Sequence, residues 1–254
     1  MKKLLKTCLL LLSTAPFITP LVLADSEWEW SLEPYFATST IDGDVGIGRR
    51  LDTNITVDTK QILENLDIGG MIHGEGHHSS GWGGTFDFAF MKLGDDISGP
   101  FDGLNEVRFK QSILEATLMR RIAGESGTWD IYVGMRRWDN ELKVVLDINT
   151  SEGRPEFKGG DNWIDPIFGV RYFTPLSEKW TFVLRGDIGG LGIGSDFTLK
   201  TATAFQYRFN KTFSLDLQYY GVWVDFENGK ADTGDYFKYD TVTHGLIVGL
   251  IIDF

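Results

Sequence analysis

The segment GLIVGLIIDF, residues 245–254, decides the fold that this chain can adopt. Its even-numbered positions are all large and apolar, namely Leu246, Val248, Leu250, Ile252 and Phe254. Gly245, Gly249 and Asp253 lie on the other parity. Successive side chains of a strand point to opposite faces, so the segment predicts a β-strand with one apolar face. The chain as a whole is acidic, with a formal net charge of −12, so this apolar face needs an environment in which it is buried.

The same alternation recurs along the chain. It is clear in TFDFAF (85–90), WTFVLRGDI (180–188) and FSLDLQYYGVW (213–223). A soluble β-sandwich would show this pattern too, with its apolar face inside. No stretch after residue 24 reaches the roughly 18 to 20 consecutive apolar residues of a membrane-spanning helix, so helical spans are excluded.

Strand length and connector length favour a membrane barrel over a sandwich. The alternating segments run about 10 to 14 residues, as tilted membrane strands do, whereas soluble strands centre on about 5 to 6. Connectors alternate between short and long, which is typical of barrels with short periplasmic turns and longer external loops. The short connectors are 77–81, 123–128, 175–179 and 210–211. The long connectors are 38–66, 94–106, 143–162, 191–196 and 227–238.

We therefore predict an all-β fold, a transmembrane antiparallel up-and-down barrel of about ten strands, with eight or twelve as alternatives. The predicted strands are 28–37, 67–77, 82–93, 107–120, 129–142, 163–174, 180–190, 197–209, 213–226 and 239–254. Closing the sheet pairs the last strand with the first, around WEWSLEPYF (28–36). Closure leaves no unpaired strand edge in lipid, where unsatisfied backbone groups are very costly.

Aromatic residues cluster beside the short connectors. The predicted girdle comprises Trp82, Trp129, Tyr172, Trp180, Tyr207, Phe209, Phe213 and Phe254, with Phe173 beside them. Aromatic belts of this kind lie at the membrane interface, and packing in a soluble protein gives no reason for the placement.

Residues 1–24 are predicted to be a secretory signal peptide, and residues 25–254 the barrel domain. Three lysines precede an apolar segment that ends at Ala24, and two prolines within that segment disfavour a retained membrane anchor. Cleavage would remove the only cysteine, Cys8, so we expect no disulfide. The mature chain would keep 21 basic residues against 36 acidic ones, a formal charge of −15, which argues against nucleic acid as a partner.

The segment VDTKQILENL (57–66) departs from the strand pattern. Ile62, Leu63 and Leu66 have helical spacing, and Asp58 followed by Gln61 has the form of a capping box. We predict a short helix in the first long connector. A stronger hypothesis is that this segment folds back into the barrel mouth and narrows it.

The segment WIDPIFGVRYFTPLSEKWTFVLRGDIGGLGIGSDF (163–197) resembles bacterial outer-membrane β-barrel proteins of the porin-family or OmpA-like kind. ILENLDIGGMIHGEG (62–76) and GWGGTFDFAFMKL (81–93) are similar to an early hairpin of that family. The resemblance implies the outer membrane of a Gram-negative bacterium and supplies no catalytic residue. Implied partners are membrane lipids, lipopolysaccharide and the barrel-assembly machinery, which would recognise the C-terminal strand. We expect a monomer without a cofactor.

If the apolar parity faces lipid, the other parity lines the lumen. The predicted lumen-lining residues are Glu75, Asp87, Glu115, Asp130, Arg136, Asp165, Arg171, Arg185, Asp187, Lys200, Arg208 and Asp216. Both signs of charge are present, which suits mutual pairing. Inward glycines at 134, 169, 189, 245 and 249 would leave space. The leading functional hypothesis is porin-type passive passage of small solutes, and the first alternative is a plugged structural or surface-binding barrel.

Two chemical alternatives are weaker. His73, Glu75 and His77 share a strand face and are candidate metal ligands, but same-face neighbours are about 6.8 Å apart and would need help from other strands. An outer-membrane protease or lipid-modifying enzyme is the second functional alternative, since the omptin proteases also have ten strands. Ser112 and His244 are the nearest serine and histidine candidates and lack a supporting motif, so we predict no enzyme.

Overall fold

The structure is a computed structural model that describes residues 27–49, 51–94, 104–146, 156–231 and 233–254. The predicted signal peptide and Cys8 lie outside the described residues.

Ten strands close into an antiparallel barrel, which confirms the predicted fold. They are β1 (Trp28–Ala37), β4 (Leu66–His78), β5 (Trp82–Leu93), β6 (Leu104–Ala123), β7 (Thr128–Leu146), β8 (Glu156–Pro175), β9 (Trp180–Gly190), β10 (Phe197–Arg208), β11 (Phe213–Asn228) and β12 (Phe237–Asp253). The sheet closes through β12 and β1, where Ser31 pairs with Asp253 and Phe36 with Val248. The C-terminal segment is thus buried by pairing with the first strand, as predicted.

Three strands are longer than predicted by five residues or more. They are β6, β7 and β8, with 20, 19 and 20 residues, so the predicted connector 143–162 is wrong at both of its ends. β7 continues to Leu146 and β8 begins at Glu156. The hydrophobic alternation stops earlier because outward residues such as Asp139 and Glu141 are polar, while the backbone ladder between the two strands continues.

The predicted connector 38–66 is also wrong in part, because it contains a β-hairpin. β2 (Thr40–Ile47) pairs with the upper half of β12 and with β3 (Leu51–Val57). β2 continues β1 along β12 in the same register, and Thr38 and Ser39 form the junction between the two strands. The sequence carried a signal for β2 in the alternation of Ile41, Val45 and Ile47, but intervening aspartates and glycines lowered its strand propensity.

The predicted helix is confirmed as α1 (Thr59–Asn65). Its capping box is present, since Asp58 Oδ1 accepts from the Gln61 amide and Gln61 Oε1 accepts from the Asp58 amide, both at 2.8 Å. Ile62 is buried. None of the helical structure in the described part of the chain has the length and apolarity needed to cross a bilayer.

The outer surface of the barrel is an apolar band. Its exposed side chains include Phe86, Leu118, Ile131, Val133, Met135, Ile164, Phe168, Val170, Leu184, Phe205, Leu246 and Val248. A contiguous apolar surface of this extent is unfavourable in water and is solvated in lipid. Up-and-down barrels with such a band span outer membranes, so the predicted outer-membrane location is confirmed.

The interior changes character along the barrel axis. Near the short connectors, at what we term the short-turn end, the inward side chains are charged. Toward the opposite, long-loop end they become apolar and form the mouth cluster: Ile41, Val45, Ile47, Val57, Ile62, Leu93, Trp138, Leu142, Trp163, Val224, Phe226, Phe237 and Tyr239. The mouth cluster includes residues from β2, β3 and α1, so the hairpin and helix contribute to the interior.

The close approach of Thr38, at the β1–β2 junction, to β12 depends on Gly245. A Cβ at this position would lie 1.8 Å from the Thr38 carbonyl oxygen, which belongs to the backbone and cannot move cheaply. We predict that Gly245→Ala lowers the free energy of unfolding by about 1–3 kcal/mol. Urea unfolding in lipid vesicles measures the change. Gly70→Ala is the control because a Cβ there meets nothing within 4 Å, and equal losses in both variants would contradict the prediction.

Candidate functional site in the barrel interior

The structure places the predicted lumen-lining residues on the inner face of the barrel. Those almost fully buried are Glu115, Asp130, Arg136, Asp165, Asp187 and Asp216. Those of intermediate burial are Glu75, Asp87, Arg171, Arg185 and Lys200. Arg208 ends β10 beside a short turn and is exposed.

Glu115 on β6 is the centre of one ionic network, which we term the central network. Arg136 donates from Nε and Nη2 to Glu115 Oε2 at 2.9 and 2.8 Å, and Arg185 donates to Oε1. Lys200 Nζ lies 3.4 Å from Oε2. Arg136 also donates to Asp187 at 2.7 Å. These five charged side chains join β6, β7, β9 and β10 across the lumen.

A second network, the lower network, lies nearer the short-turn end. Arg171 donates to both oxygens of Glu75 at 2.7 and 2.8 Å and to Asp130 at 2.8 Å. Arg121 makes a two-point contact with Asp130 at 2.8 and 2.9 Å. The Arg171 guanidinium lies 4.6 Å from the centre of the Phe173 ring. Phe173 therefore points inward, and its predicted place in the girdle is wrong because it shares the parity of Arg171.

Asp87 and His73 extend the lower network toward Glu115, which is the cross-strand neighbour of Asp87. His73 Nδ1 lies 3.2 Å from Asp87 Oδ2, and its Nε2 lies 3.5 Å from Glu75 Oε2. The Tyr35 hydroxyl donates to Asp87 Oδ1 at 2.9 Å. Buried charges are stable only when they are paired and hydrogen-bonded. The paired groups therefore hold opposite walls of the barrel together and leave few charges free to contact a solute.

Two carboxylates stand apart from this pairing. Asp216 is 1% exposed and accepts from Gln218 at 2.9 Å, but its Oδ1 has no hydrogen-bond partner. Glu33 lies over Gly249, where its Oε1 fills the space that a Cβ would need. Gly249 is the residue of β12 that pairs with Asp216. Within the described residues neither carboxylate forms an ion pair with a basic side chain.

The inward glycines do not leave open space. At Gly134 a Cβ would meet the Ala116 carbonyl at 2.2 Å, and at Gly169 it would meet the Tyr132 ring at 2.4 Å. Neighbouring side chains and backbone likewise occupy the space at 189, 245 and 249. The expectation that these positions open a pathway is therefore wrong: the missing side chains allow neighbours to pack more closely.

The candidate metal ligands do not form a suitable cation site. Ligand atoms of Glu75, His77 and Asp130 lie within 4.8 Å of one another, and His77 Nε2 contacts Glu75 Oε1. Both oxygens of Glu75 already accept from Arg171, and Asp130 accepts from Arg121 as well. A divalent cation here would lie beside two guanidinium groups, whose charge opposes its binding.

Stacked aromatic rings close the mouth. The Trp163 and Phe226 rings stack with centroids 3.7 Å apart, and Trp138 stacks on Trp163 at 5.8 Å. Ile47 of β2 contacts Gly159 on β8, across the barrel, where a Cβ would lie only 2.4 Å from Ile47 Cγ2. The sequence pattern did not predict this closure. The available signal was that Trp138 has the same strand parity as Arg136 and therefore lies on the inward face of β7.

The indole groups of the mouth are hydrogen-bonded as well as stacked. Trp138 Nε1 donates to Asp165 at 2.9 Å, and Trp163 Nε1 donates to Ser195 Oγ at 2.7 Å. Asp165 also accepts from the Ser195 amide at 2.7 Å. Asp165 therefore serves as an acceptor beneath the stacked rings and does not present a free charge to the lumen.

Two small cavities lie inside the described barrel. A cavity of about 90 Å³ lies between the two networks and is lined by Glu33, His73, Arg185 and Asp216 among others. A cavity of about 100 Å³ lies between the central network and the mouth cluster. Each could hold a few water molecules. Paired charges and stacked rings lie on the axis above and below them.

The serine and histidine considered for catalysis lie on different walls. Ser112 is on β6 and pairs with Phe90 and Asp139. His244 is on β12, where its Nδ1 lies 3.0 Å from the Tyr219 hydroxyl. Since β5, β4 and β1 separate the two strands in the sheet, these residues do not form a catalytic pair.

The girdle residues other than Phe173 lie at the short-turn end and face outward. Trp129 contacts Tyr172 at 4.5 Å, and Tyr207 contacts both Trp180 and Phe209, at 4.9 and 5.2 Å between ring centres. Trp82, Phe213 and Phe254 are exposed beside them. Trp28 and Trp30, stacked at 5.3 Å, extend this belt onto β1 and were not predicted.

No protein-family model and no curated protein matches the sequence. The fold is similar to that of the outer membrane protease OmpT from Escherichia coli, with a TM-score of 0.53 at 9% identity over 89% of this chain and 97% of that chain. The translocator domain of the autotransporter NalP from Neisseria meningitidis gives 0.46 at 10% identity over 91% and 90%. The P. putida toluene transporter TodX gives 0.34 at 8% over 91% of each chain. The likeness to OmpT shows a shared barrel fold and nothing about activity.

We predict that Arg136→Met lowers the free energy of unfolding by about 3–5 kcal/mol, because Glu115 and Asp187 would each lose a buried partner. Urea unfolding in vesicles measures the effect. Arg137→Met is the matched control, since this neighbouring side chain faces outward and is 50% exposed, and its loss should cost less than about 1 kcal/mol. Similar losses in the two variants would show that the central network contributes little to stability.

A contrasting pair of variants tests the unpaired carboxylate. Asp216→Asn should raise the free energy of unfolding, because burying a carboxylate that has no ion pair is costly and a neutral amide lowers that cost. Asp187→Asn should lower it by about 1.5–3 kcal/mol, because Asp187 accepts a charged hydrogen bond from Arg136. The same unfolding assay compares them, and a loss of stability in Asp216→Asn as large as in Asp187→Asn would refute the assignment.

Proposed function

We propose that this protein is an outer-membrane barrel whose axis is closed to passive diffusion of solutes, and that its role is structural or surface-binding. The observation that carries the proposal is the packed mouth cluster lying over the paired central network. A solute moving along the axis would have to separate stacked rings and then displace buried ion pairs. Both steps are costly in a medium of low dielectric.

Passive passage, the leading hypothesis from sequence, finds less support in the geometry. It requires a continuous hydrated path, whereas these two interior cavities are about 90 and 100 Å³. The space beside the inward glycines is occupied by neighbouring atoms. An enzymatic role likewise lacks an assembled pair of catalytic side chains among the described candidates. We retain the prediction that the protein is not an enzyme.

The proposed partners follow from the surface. The apolar band matches membrane lipid, and the pairing of β12 with β1 gives the assembly machinery a terminal strand to recognise before closure. Contact with lipopolysaccharide would occur above the band, at the long-loop end. We propose that the barrel works as a monomer.

Planar-bilayer recording tests the proposal. We predict no steady conductance for the wild-type barrel at moderate voltage. The double variant Trp138→Ala, Trp163→Ala removes the stacked rings and should produce discrete channel openings. The control is Trp129→Ala, Trp223→Ala, which removes two outward-facing rings and should remain closed. Steady open currents from single insertions of the wild type would instead support porin-type passage.

A further inference from the structure

The barrel wall is interrupted between β1 and β4. Their backbone ladder runs from Trp28 opposite His78 to Tyr35 opposite Met71 and ends there. Among the described residues, Phe36 and Ala37 beyond this point pair only with β12, and the first residues of β4, from Leu66 to Gly70, pair only with β5. Further along the chain, β2 pairs with β12 and β3 and not with β4. A gap therefore separates the β1–β2 junction from the first residues of β4.

Helix α1 covers this gap. The Thr59 hydroxyl donates to the Ser39 carbonyl at 3.0 Å and lies 3.5 Å from the Thr40 hydroxyl. These contacts hold the start of the helix at the β1–β2 junction. Ile62 is 4% exposed and packs with the mouth cluster, while Leu63 remains exposed. The cover is thus a single short helix held by few contacts.

A cavity of about 60 Å³ passes through the gap. Its lining includes Phe36 and Phe90, which face lipid, and Ala37 and Met91, which face the lumen. Gly69 has the inward parity of His73 and Met71 yet is exposed, as expected where the wall is open. The cavity therefore connects the outer surface with the inner face.

The larger cavity of about 100 Å³ adjoins this opening from inside. Six residues line both spaces: Tyr35, Ala37, Ser39, Met71, Phe90 and Met91. The accessible part of its lining is mostly apolar and includes Ile113, Val222 and Ile247. An apolar cavity of about 150 Å³ can hold a benzene-sized molecule. The two spaces thus have the size and the lining for a short stretch of hydrocarbon.

We propose that this gap is a lateral binding site for the end of one alkyl chain, entering from the outer part of the bilayer. Hydrocarbon surrounds the opening, because Phe36 and Phe90 belong to the apolar band, so an alkyl chain is the species present there at high concentration. Gly69 and Gly70 have no side chains, so they leave room for a chain on that side of the opening. The two cavities together have space for the end of one chain, so the ligand that we assign is a free fatty acid.

This site is independent of axial closure. Its access is through the wall, and its floor is the central network, where Lys200 and Glu115 line the inner end of the larger cavity. A barrel that is silent in the conductance assay could still bind an alkyl chain, and a conducting barrel could fail to bind one. The two proposals therefore fail separately.

Photo-cross-linking tests the site. The full barrel, reconstituted in vesicles, is exposed to palmitic acid with a terminal diazirine, and labelled positions are mapped by peptide mass spectrometry. We expect labelling at Ile113, which faces the larger cavity, in addition to Leu118, which faces lipid on the same strand. Gly70→Trp should lower labelling of Ile113 about tenfold, equivalent to about 1.4 kcal/mol, and leave labelling of Leu118 unchanged.

Gly74→Trp is the matched control, because it adds the same ring on the same outward face of β4, away from the gap. Heat-dependent gel mobility verifies that each variant is folded. Ile62→Ala, which trims the cover, should raise labelling of Ile113 and provides a second test if Gly70→Trp does not fold. The proposal is overturned if Ile113 remains unlabelled in the wild type, or if neither Gly70→Trp nor Ile62→Ala changes its labelling. A phospholipid probe that labels Ile113 when palmitic acid does not would overturn the assignment to a single-chain ligand.

Discussion

The pairing of Glu115 with Arg136 inside a closed sheet is the interaction on which the rest of the structure depends. A membrane barrel presents its apolar side chains outward, so the charged side chains, which alternate with them along each strand, point toward the axis. Without partners these groups would need a hydrated pore, and with partners they can be packed. Here Glu115 pairs with three basic side chains and Arg136 pairs with a second carboxylate, so the centre of the barrel is an ionic core of paired charges.

The mouth cluster and the ionic core close the barrel by different means. Rings from β7, β8 and β11 stack at the long-loop end, and the hairpin of β2 and β3 lies against them. Because β2 pairs with β3 and not with β4, the hairpin that fills the mouth also leaves a gap in the wall beside α1. The junction at Thr38 and Ser39 thus lies where the ladder between β1 and β4 has ended and the chain begins to fill the mouth.

The sequence predicted the features that follow from period-two alternation. Strand number, order and parity were predictable, since the outward side of each strand must be apolar, and the capping box of α1 was visible in Asp58 and Gln61. Features set by long-range packing were not. Nothing local shows that Gly169 is filled by Tyr132, that Phe173 turns inward to Arg171, or that Trp138 and Trp163 meet Phe226. Those outcomes depend on which strands face one another across the lumen.

The pairing of β12 with both β1 and β2 also affects how quickly the barrel can form. Thr38 and Leu246 bond to each other across 208 residues of chain, so the first and last segments must meet before the ring exists. Ladders between neighbouring strands need only short connections, whereas this contact carries the largest loop-closure entropy. We therefore expect the pairing of the amino-terminal segment with the carboxy-terminal strand to be slower than the pairing of strands that are neighbours in sequence.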